Sequence, residues 1–220
     1  MTITLAACGT TSPDWDTMAK WDSVLLGSGE RNFCSGTIIG GGTDQAGEYS
    51  IILTAAHCAN SDKHTVTRNV SFAGGVIVDT EVAVLLGKDE AADVAIFRSA
   101  INRGGTCVPL ERNATYTRGD EVYALANPFI VFYASLTKGI ISAPARSIMI
   151  SAKIIGLFQV DAQGAPGSSG GAVLNRYGYL IGTVTGGAPG TSIGLVAPVL
   201  GAIALIDKLN IGEHVCYGNS

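Results

Sequence analysis

From residue 22 to residue 199 the chain breaks into short apolar runs separated by clusters of Gly, Asn, Asp and Ser. This punctuation marks an all-β protein, each run a strand and each cluster a turn. Six runs fall in the first half, at 22–27, 33–40, 49–54, 66–73, 75–86 and 94–98. Six fall in the second, at 121–126, 131–142, 147–160, 171–175, 178–186 and 193–199. The stretch that begins Asn102-Arg103-Gly104-Gly105-Thr106 reads as a linker reaching to about residue 119. Glycine, 29 residues of 220, is nearly twice as common as usual, as many tight turns require. Twelve antiparallel strands can close as two six-stranded barrels or stack as a sandwich, and the runs alone leave both open.

Other classes are easier to set aside. The formal net charge is −4 and no basic block tracks along the chain, so nucleic-acid binding is not expected. No apolar run approaches the ~20 residues of a transmembrane helix. Residues 1–20, with Thr10-Thr11-Ser12-Pro13, read as an irregular lead segment. After Pro198, the spacing of Ile203, Ile206 and Leu209 predicts a short packed helix, weakened at its start by Gly201.

The chemistry concentrates in three places. Gly164-Ala165-Pro166-Gly167-Ser168-Ser169-Gly170-Gly171 crowds glycines around one serine. Such a run is ordinarily a flexible loop. It also permits a sharp turn in which two backbone N–H groups, those of Gly167 and Ser169, converge on a developing oxyanion. His57 follows the strand-like run Tyr49-Ser50-Ile51-Ile52-Leu53-Thr54 through a small Ala55-Ala56 pair. A histidine there is either satisfied within a core or placed to take a proton from a hydroxyl. His64, in Asn60-Ser61-Asp62-Lys63-His64, is expected to face solvent, and His214 in the tail suggests no chemistry. Asp93 heads the apolar run Val94-Ala95-Ile96-Phe97. It is a strand cap, or a buried acid that accepts a histidine Nδ1–H. Asp79, Glu81, Glu121 and Asp161 also adjoin apolar segments in less suggestive settings.

Taken in order, Thr54-Ala55-Ala56-His57-Cys58, Asp93-Val94-Ala95-Ile96 and Gly167-Ser168-Ser169-Gly170-Gly171 resemble the signature blocks of chymotrypsin-fold serine proteases. Cys34-Ser35-Gly36-Thr37 resembles the upstream segment whose cysteine is bridged to the one after the catalytic histidine. Ala126-Asn127-Pro128-Phe129, Thr137-Lys138-Gly139-Ile140-Ile141-Ser142-Ala143, Phe158-Gln159-Val160-Asp161, Tyr179-Leu180-Ile181-Gly182 and Gly194-Leu195-Val196-Ala197-Pro198-Val199 resemble blocks of the HtrA/Deg-type peptidases. The resemblance covers about residues 21 to 210.

It implies two antiparallel Greek-key β-barrels: residues 21–110 carry His57 and Asp93, 111–199 carry Ser169, and 200–220 form a helix and tail. It implies a serine endopeptidase with His57 as general base, Asp93 as its orienting carboxylate, Ser169 as nucleophile, and Gly167 and Ser169 as oxyanion donors. That scheme calls for no metal and no cofactor, and its partner is a polypeptide substrate. Ten residues follow Asn210, too few for the PDZ module that many HtrA proteins append.

Two departures from the family pattern stand out. The residue before the nucleophile is Ser168, where animal trypsin-like enzymes place an aspartate that pairs with a new N-terminus on activation. The trypsin specificity position, six residues before the nucleophile, is Gln163, with no carboxylate to neutralise a buried Lys or Arg. With Thr183, Val184 and Thr185 as substrate strand and pocket wall, a small or medium apolar residue before the cleaved bond is expected.

Among the five cysteines, a Cys34–Cys58 bridge follows from the resemblance, and Cys107–Cys216 is the second pairing expected. Bridges argue for an oxidising, extracytoplasmic compartment, secreted or periplasmic. Cys8 remains odd. Leu5-Ala6-Ala7-Cys8-Gly9 resembles a bacterial lipobox, so it marks either a lipid anchor or a chance match behind too short a leader. Two sequons, Asn69-Val70-Ser71 and Asn113-Ala114-Thr115, carry little weight. Two other classes compete: a non-catalytic protease homologue that binds peptides, and an α/β-hydrolase esterase, whose Gly-x-Ser-x-Gly letters fit but whose Ser-acid-His order does not.

Overall fold

Alternation along the first runs sends one set of side chains inward and the other out, and the strands close on themselves. The computed structural model describes residues 13–28, 32–72, 75–101, 105–150, 153–162, 164–188 and 190–218. Strands β1 (Ser23–Ser28), β2 (Asn32–Asp44), β3 (Gly47–Thr54), β4 (Lys63–Phe72), β5 (Gly75–Asp89) and β6 (Val94–Ser99) form one closed antiparallel barrel in the order β1-β2-β3-β6-β5-β4. Strands β7 (Glu121–Ala126), β8 (Ser135–Ile150), β9 (Lys153–Val160), β10 (Ala172–Asn175), β11 (Leu180–Gly187) and β12 (Gly194–Pro198) form a second, ordered β10-β11-β12-β9-β8-β7. Each barrel joins its third strand to its sixth and its first to its fourth, the Greek-key crossover. Closure leaves no open sheet edge, so barrels replace the sandwich alternative.

Each barrel encloses its own apolar cluster, Val24, Leu26, Ile38, Ile52 and Phe97 in the first, Val122, Ile141, Phe158, Val173 and Val196 in the second. A third cluster welds Ile39, Leu53 and Ile96 of the first barrel to Leu125, Leu174 and Leu180 of the second. Helix α2 (Val199–Leu209) covers that seam with Val199, Ala202, Leu205 and Ile206, and stops at left-handed Asn210. Bridges Cys34–Cys58 and Cys107–Cys216 are both formed. The second ties the connector to the tail, where Leu110 N–H also donates to Cys216 O at 2.9 Å.

Three expectations need correction. Within the lead segment read as irregular, Trp15–Asp22 is a helix, α1, whose first turn is capped by Asp14 accepting the Thr17 N–H at 3.0 Å. Strand β8 starts at Ser135 rather than 131, because Phe129, Ile130 and Ala134 adopt left-handed backbone (φ 54°, 65° and 51°). It also runs through the expected break to Ile150, absorbing Pro144 in register shifts between Ile141 and Arg146. Proline lacks the N–H that a regular ladder needs there.

Candidate active site

Strand β3 delivers His57. It ends at Thr54, turns at buried Ala55 and passes into a 3₁₀ turn, Ala56–Cys58. The two small side chains let this turn lie flat on the core. Cys58 is bridged to Cys34 of β2, and Thr54 Oγ1 donates to Ser35 O at 2.7 Å. The imidazole therefore stands on an anchored turn, with its side chain 45% exposed.

Asp93 reaches the imidazole from the β5–β6 turn. That turn is set by Asp89, whose Oδ1 accepts the N–H groups of Ala91 (2.8 Å) and Ala92 (3.1 Å). Asp93 itself is left-handed (φ 52°), a conformation Asp tolerates better than most non-glycine residues. Its carboxylate is only 4% exposed. Oδ1 accepts the backbone N–H of His57 at 3.1 Å and Nδ1–H at 3.0 Å, and Oδ2 lies 3.1 Å from the same Nδ1. A buried carboxylate needs such donors. With Nδ1 carrying the proton, Nε2 is the basic nitrogen. Cys34, His57 and Cys58 lie within 4.8 Å of one another, but the two sulfurs are spent on each other and offer no thiolate to a metal.

Ser169 arrives from the loop before β10, which docks on the same turn. A Cβ on Gly170 (φ +85°) would overlap Ser35 O and Thr54 Oγ1 and lie 3.1 Å from Ala55 N, so only glycine fits. Around the serine nearly every peptide group is tied. Pro166 O accepts the Phe129 N–H (2.6 Å), Ser168 O the Gly171 N–H (2.9 Å) and Ser169 O the Ser35 N–H (2.7 Å). Gly170 N–H donates to Val184 O at 2.7 Å. In a trans peptide the N–H points opposite to the C=O. Fixing the carbonyls of Pro166 and Ser168 therefore fixes the N–H groups of Gly167 and Ser169, and among the described residues neither donates to a protein group. The Ser169 hydroxyl donates to Thr185 O at 3.2 Å, and among the described residues no hydrogen bond joins it to His57.

Thr183, Val184 and Thr185 are all buried in β11; Val184 belongs to the core of the second barrel. A bulge between Val184 and Gly186 takes Thr185 out of the ladder with β12. Beyond it Gly186 and Gly187 are half-buried, and a Cβ on Gly164 would lie 2.6 Å from Gly186 O. The backbone before Ser169 thus runs close against the end of β11. Gln163 and Cys8 lie outside the described residues. His64 corrects the reading of it as solvent-facing. It is buried, its Nε2 bonded to Cys58 O at 2.9 Å and its ring edge-on to Phe97. His214 packs against Tyr49, with Oη 3.2 Å from Nδ1.

Sequence reasoning missed Ser35, Asn127 and Phe129, which fix the serine loop. Ser35 Oγ donates to Gly167 O at 2.8 Å and accepts the Asn127 N–H at 2.8 Å. Their blocks were visible as resemblances, but most of their bonds involve backbone atoms, which residue types do not reveal.

Two β-barrels with a paired acid and imidazole and a glycine-framed serine define a class, and the comparisons agree. The trypsin-like peptidase domain family matches residues 34–182, and this chain belongs to it. It is 28% identical over 181 residues to a protein named serine protease HtrA-like of Staphylococcus haemolyticus, strain JCSC1435 (77% of this chain, 27% of the relative). It is 31% identical over 152 residues to one of the same name from Staphylococcus aureus, strain bovine RF122 / ET3-1 (64% and 19%). It thus spans about a quarter or less of these curated relatives. Among solved structures, a serine endoprotease from Yersinia pestis superimposes with a TM-score of 0.66 at 26% identity, covering 93% of this chain and 69% of that one. The MamO protease domain from Magnetospirillum magneticum, in its apo form, shares the fold with a TM-score of 0.67 at 18% identity (86% and 97%).

Proposed function

We propose that this chain is a serine endopeptidase domain that cleaves peptide bonds through an acyl-enzyme. The observation that supports this most is the buried Asp93 carboxylate on His57 Nδ1, with the Ser169 loop seated on the histidine-bearing turn. In this reading Ser169 Oγ leaves Thr185 O by rotation of its side chain and presents its proton to His57 Nε2. Attack on the scissile carbonyl follows, and the imidazolium formed is stabilised by Asp93. The N–H groups of Gly167 and Ser169 receive the oxyanion, both facing away from tied carbonyls. Once Ser169 has moved, Thr185 O is free to accept a substrate N–H. The imidazolium gives its proton to the departing amine as the C–N bond breaks, which leaves the acyl-enzyme and a neutral His57. His57 then takes a proton from water, whose oxygen attacks the acyl carbon, and returns that proton to Ser169 Oγ as the carboxylic acid leaves.

The preference is for a small or medium apolar residue before the cut. Close backbone approach between Gly164 and Gly186 supports a shallow pocket. Two disulfides favour an oxidising, extracytoplasmic location. Among the described residues no helix is long and apolar enough to cross a membrane. A lipid anchor at Cys8 rests on its sequence context alone. The bond from Ser169 Oγ to Thr185 O also suits a second reading, a homologue that binds peptides without cleaving them. Casein digestion decides between the two. The wild type is expected to digest it and Ser169→Ala to lose at least about 10⁴-fold in rate while keeping its fold. Equal digestion by both would end the triad reading.

A further inference from the structure

The residue before Ser169 is the uncharged Ser168, so its side chain brings no ion pair to hold the turn. The two donor peptides are tied by Phe129 and Gly171, and the peptides between and after them need a hold of their own. Ser35 is fully buried in β2, 0% exposed, yet every one of its polar groups is engaged. Its hydroxyl donates to Gly167 O (2.8 Å) and accepts from Asn127, from the backbone N–H at 2.8 Å and from Nδ2 at 3.3 Å. Its N–H donates to Ser169 O (2.7 Å), and its carbonyl accepts from Thr54 Oγ1 (2.7 Å). One residue of the first barrel therefore grips the loop on both sides of the nucleophile and the turn that carries His57. Asn127, 2% exposed, braces it from the second barrel. Asn127 Nδ2 also donates to Val24 O (2.9 Å) and Ser23 Oγ (3.2 Å), and Oδ1 accepts the Ala134 N–H (2.8 Å).

We propose that Ser35, braced by Asn127, is a positioning residue that holds the Gly167–Ser168 and Ser169–Gly170 peptides on either side of the Ser169 N–H, and through them steadies the Gly167 and Ser169 donors, which rests on the reading of these donors given above. Gly167 O belongs to the peptide that lies between the two donor peptides, whose own carbonyls are tied by the Phe129 and Gly171 N–H groups. At φ +90° Gly167 has no Cβ to restrict it, so this middle peptide turns easily unless it is held. Removing the Ser35 hydroxyl leaves its buried carbonyl without a donor, and a turn of this peptide pulls the donors on both sides out of line. The clamp is neutral, made of a hydroxyl and an amide. It needs no new ammonium group and does not depend on an ion pair.

The test compares wild type, Ser35→Ala and Asn127→Ala, each assayed well below its thermal midpoint. A peptide p-nitroanilide with alanine before the cleaved bond gives kcat and KM. A peptide boronic acid of the same sequence, which forms a tetrahedral adduct, gives affinity for the charged state. Ser35→Ala is expected to cut kcat about tenfold with KM unchanged, and to weaken boronate binding by the same factor. Asn127→Ala is expected to move both readings in the same direction. A merely structural role lowers the thermal midpoint and moves neither. Folded Ser35→Ala with wild-type kcat and boronate affinity, or with the whole loss in KM, overturns the proposal. If Ser35→Ala does not fold, Asn127→Ala decides by the same two readings. A wild type that neither cleaves nor binds the boronate removes the underlying triad reading as well, and this is seen without any variant.

Discussion

Asp93 shows how much a single residue must satisfy. It accepts left-handed backbone, lies buried, and bonds both the ring and the main chain of His57. Asparagine tolerates the same backbone, so Asp93→Asn is expected to fold. Its amide no longer enforces the Nδ1–H tautomer, and kcat is expected to fall about 10⁴-fold in a peptide hydrolysis assay. Gly170→Ala is a packing test instead. The added methyl overlaps Ser35 O and Thr54 Oγ1, and a stability loss of about 2 kcal/mol or more is expected in thermal unfolding. The pairing of His57 with Asp93 was legible because their side-chain types are the chemistry. His64 was not. Its polar neighbours suggested solvent, but β4 alternates, so Lys63 and Thr65 face out while His64 and Val66 face in.

Helix α2 supports the site from behind. Gly201, which weakens the helix as a sequence, sits where a Cβ would come 2.7 Å from Ala92 Cβ. Ala92 adjoins Asp93, so that close approach presses the helix onto the acid-bearing turn. In a free helix Gly→Ala gains about 1 kcal/mol. Here Gly201→Ala is expected to lower the thermal midpoint and also kcat, by shifting Asp93; a raised midpoint with full kcat would show that the contact does not matter. Element type was largely readable from turn residues and apolar runs. Boundaries failed where local geometry overrode them, at the left-handed Phe129 and Ile130 and at the bulge around Pro144. Helix α1 was missed although Asp14 offered a cap. Its Trp15 packs on Tyr123 at 4.5 Å between ring centroids, a tertiary contact with no signature in the local sequence.

At the scale of the molecule, the two barrels repeat one strand order six strands apart, although no internal repeat is visible in the sequence. A barrel constrains only the inward or outward sense of each position, so two unlike sequences can fill the same scheme. Cys107–Cys216 closes a span of 109 residues that includes all six strands of the second barrel, and its removal is expected to cost about 4 kcal/mol in denaturant unfolding. Tyr116 gives a pH test of the second core. Its phenol stacks on Phe158 and donates to Ile181 O, and burial pushes its pKa up to about 12. A group that titrates higher in the folded than in the unfolded chain stabilises fully below its unfolded value near pH 10, and loses that contribution as pH rises towards about 12. Tyr116→Phe is expected to flatten the fall in stability over that window relative to wild type.

The most direct test of the account is labelling by a fluorophosphonate, which modifies a serine only when a base and an oxyanion site activate it. The modified peptide is identified by mass spectrometry in the wild type, His57→Ala and Asp93→Asn. The account predicts one label, on Ser169, in the wild type and its near disappearance in both variants. An unlabelled wild type, or a label that persists without His57, would contradict it.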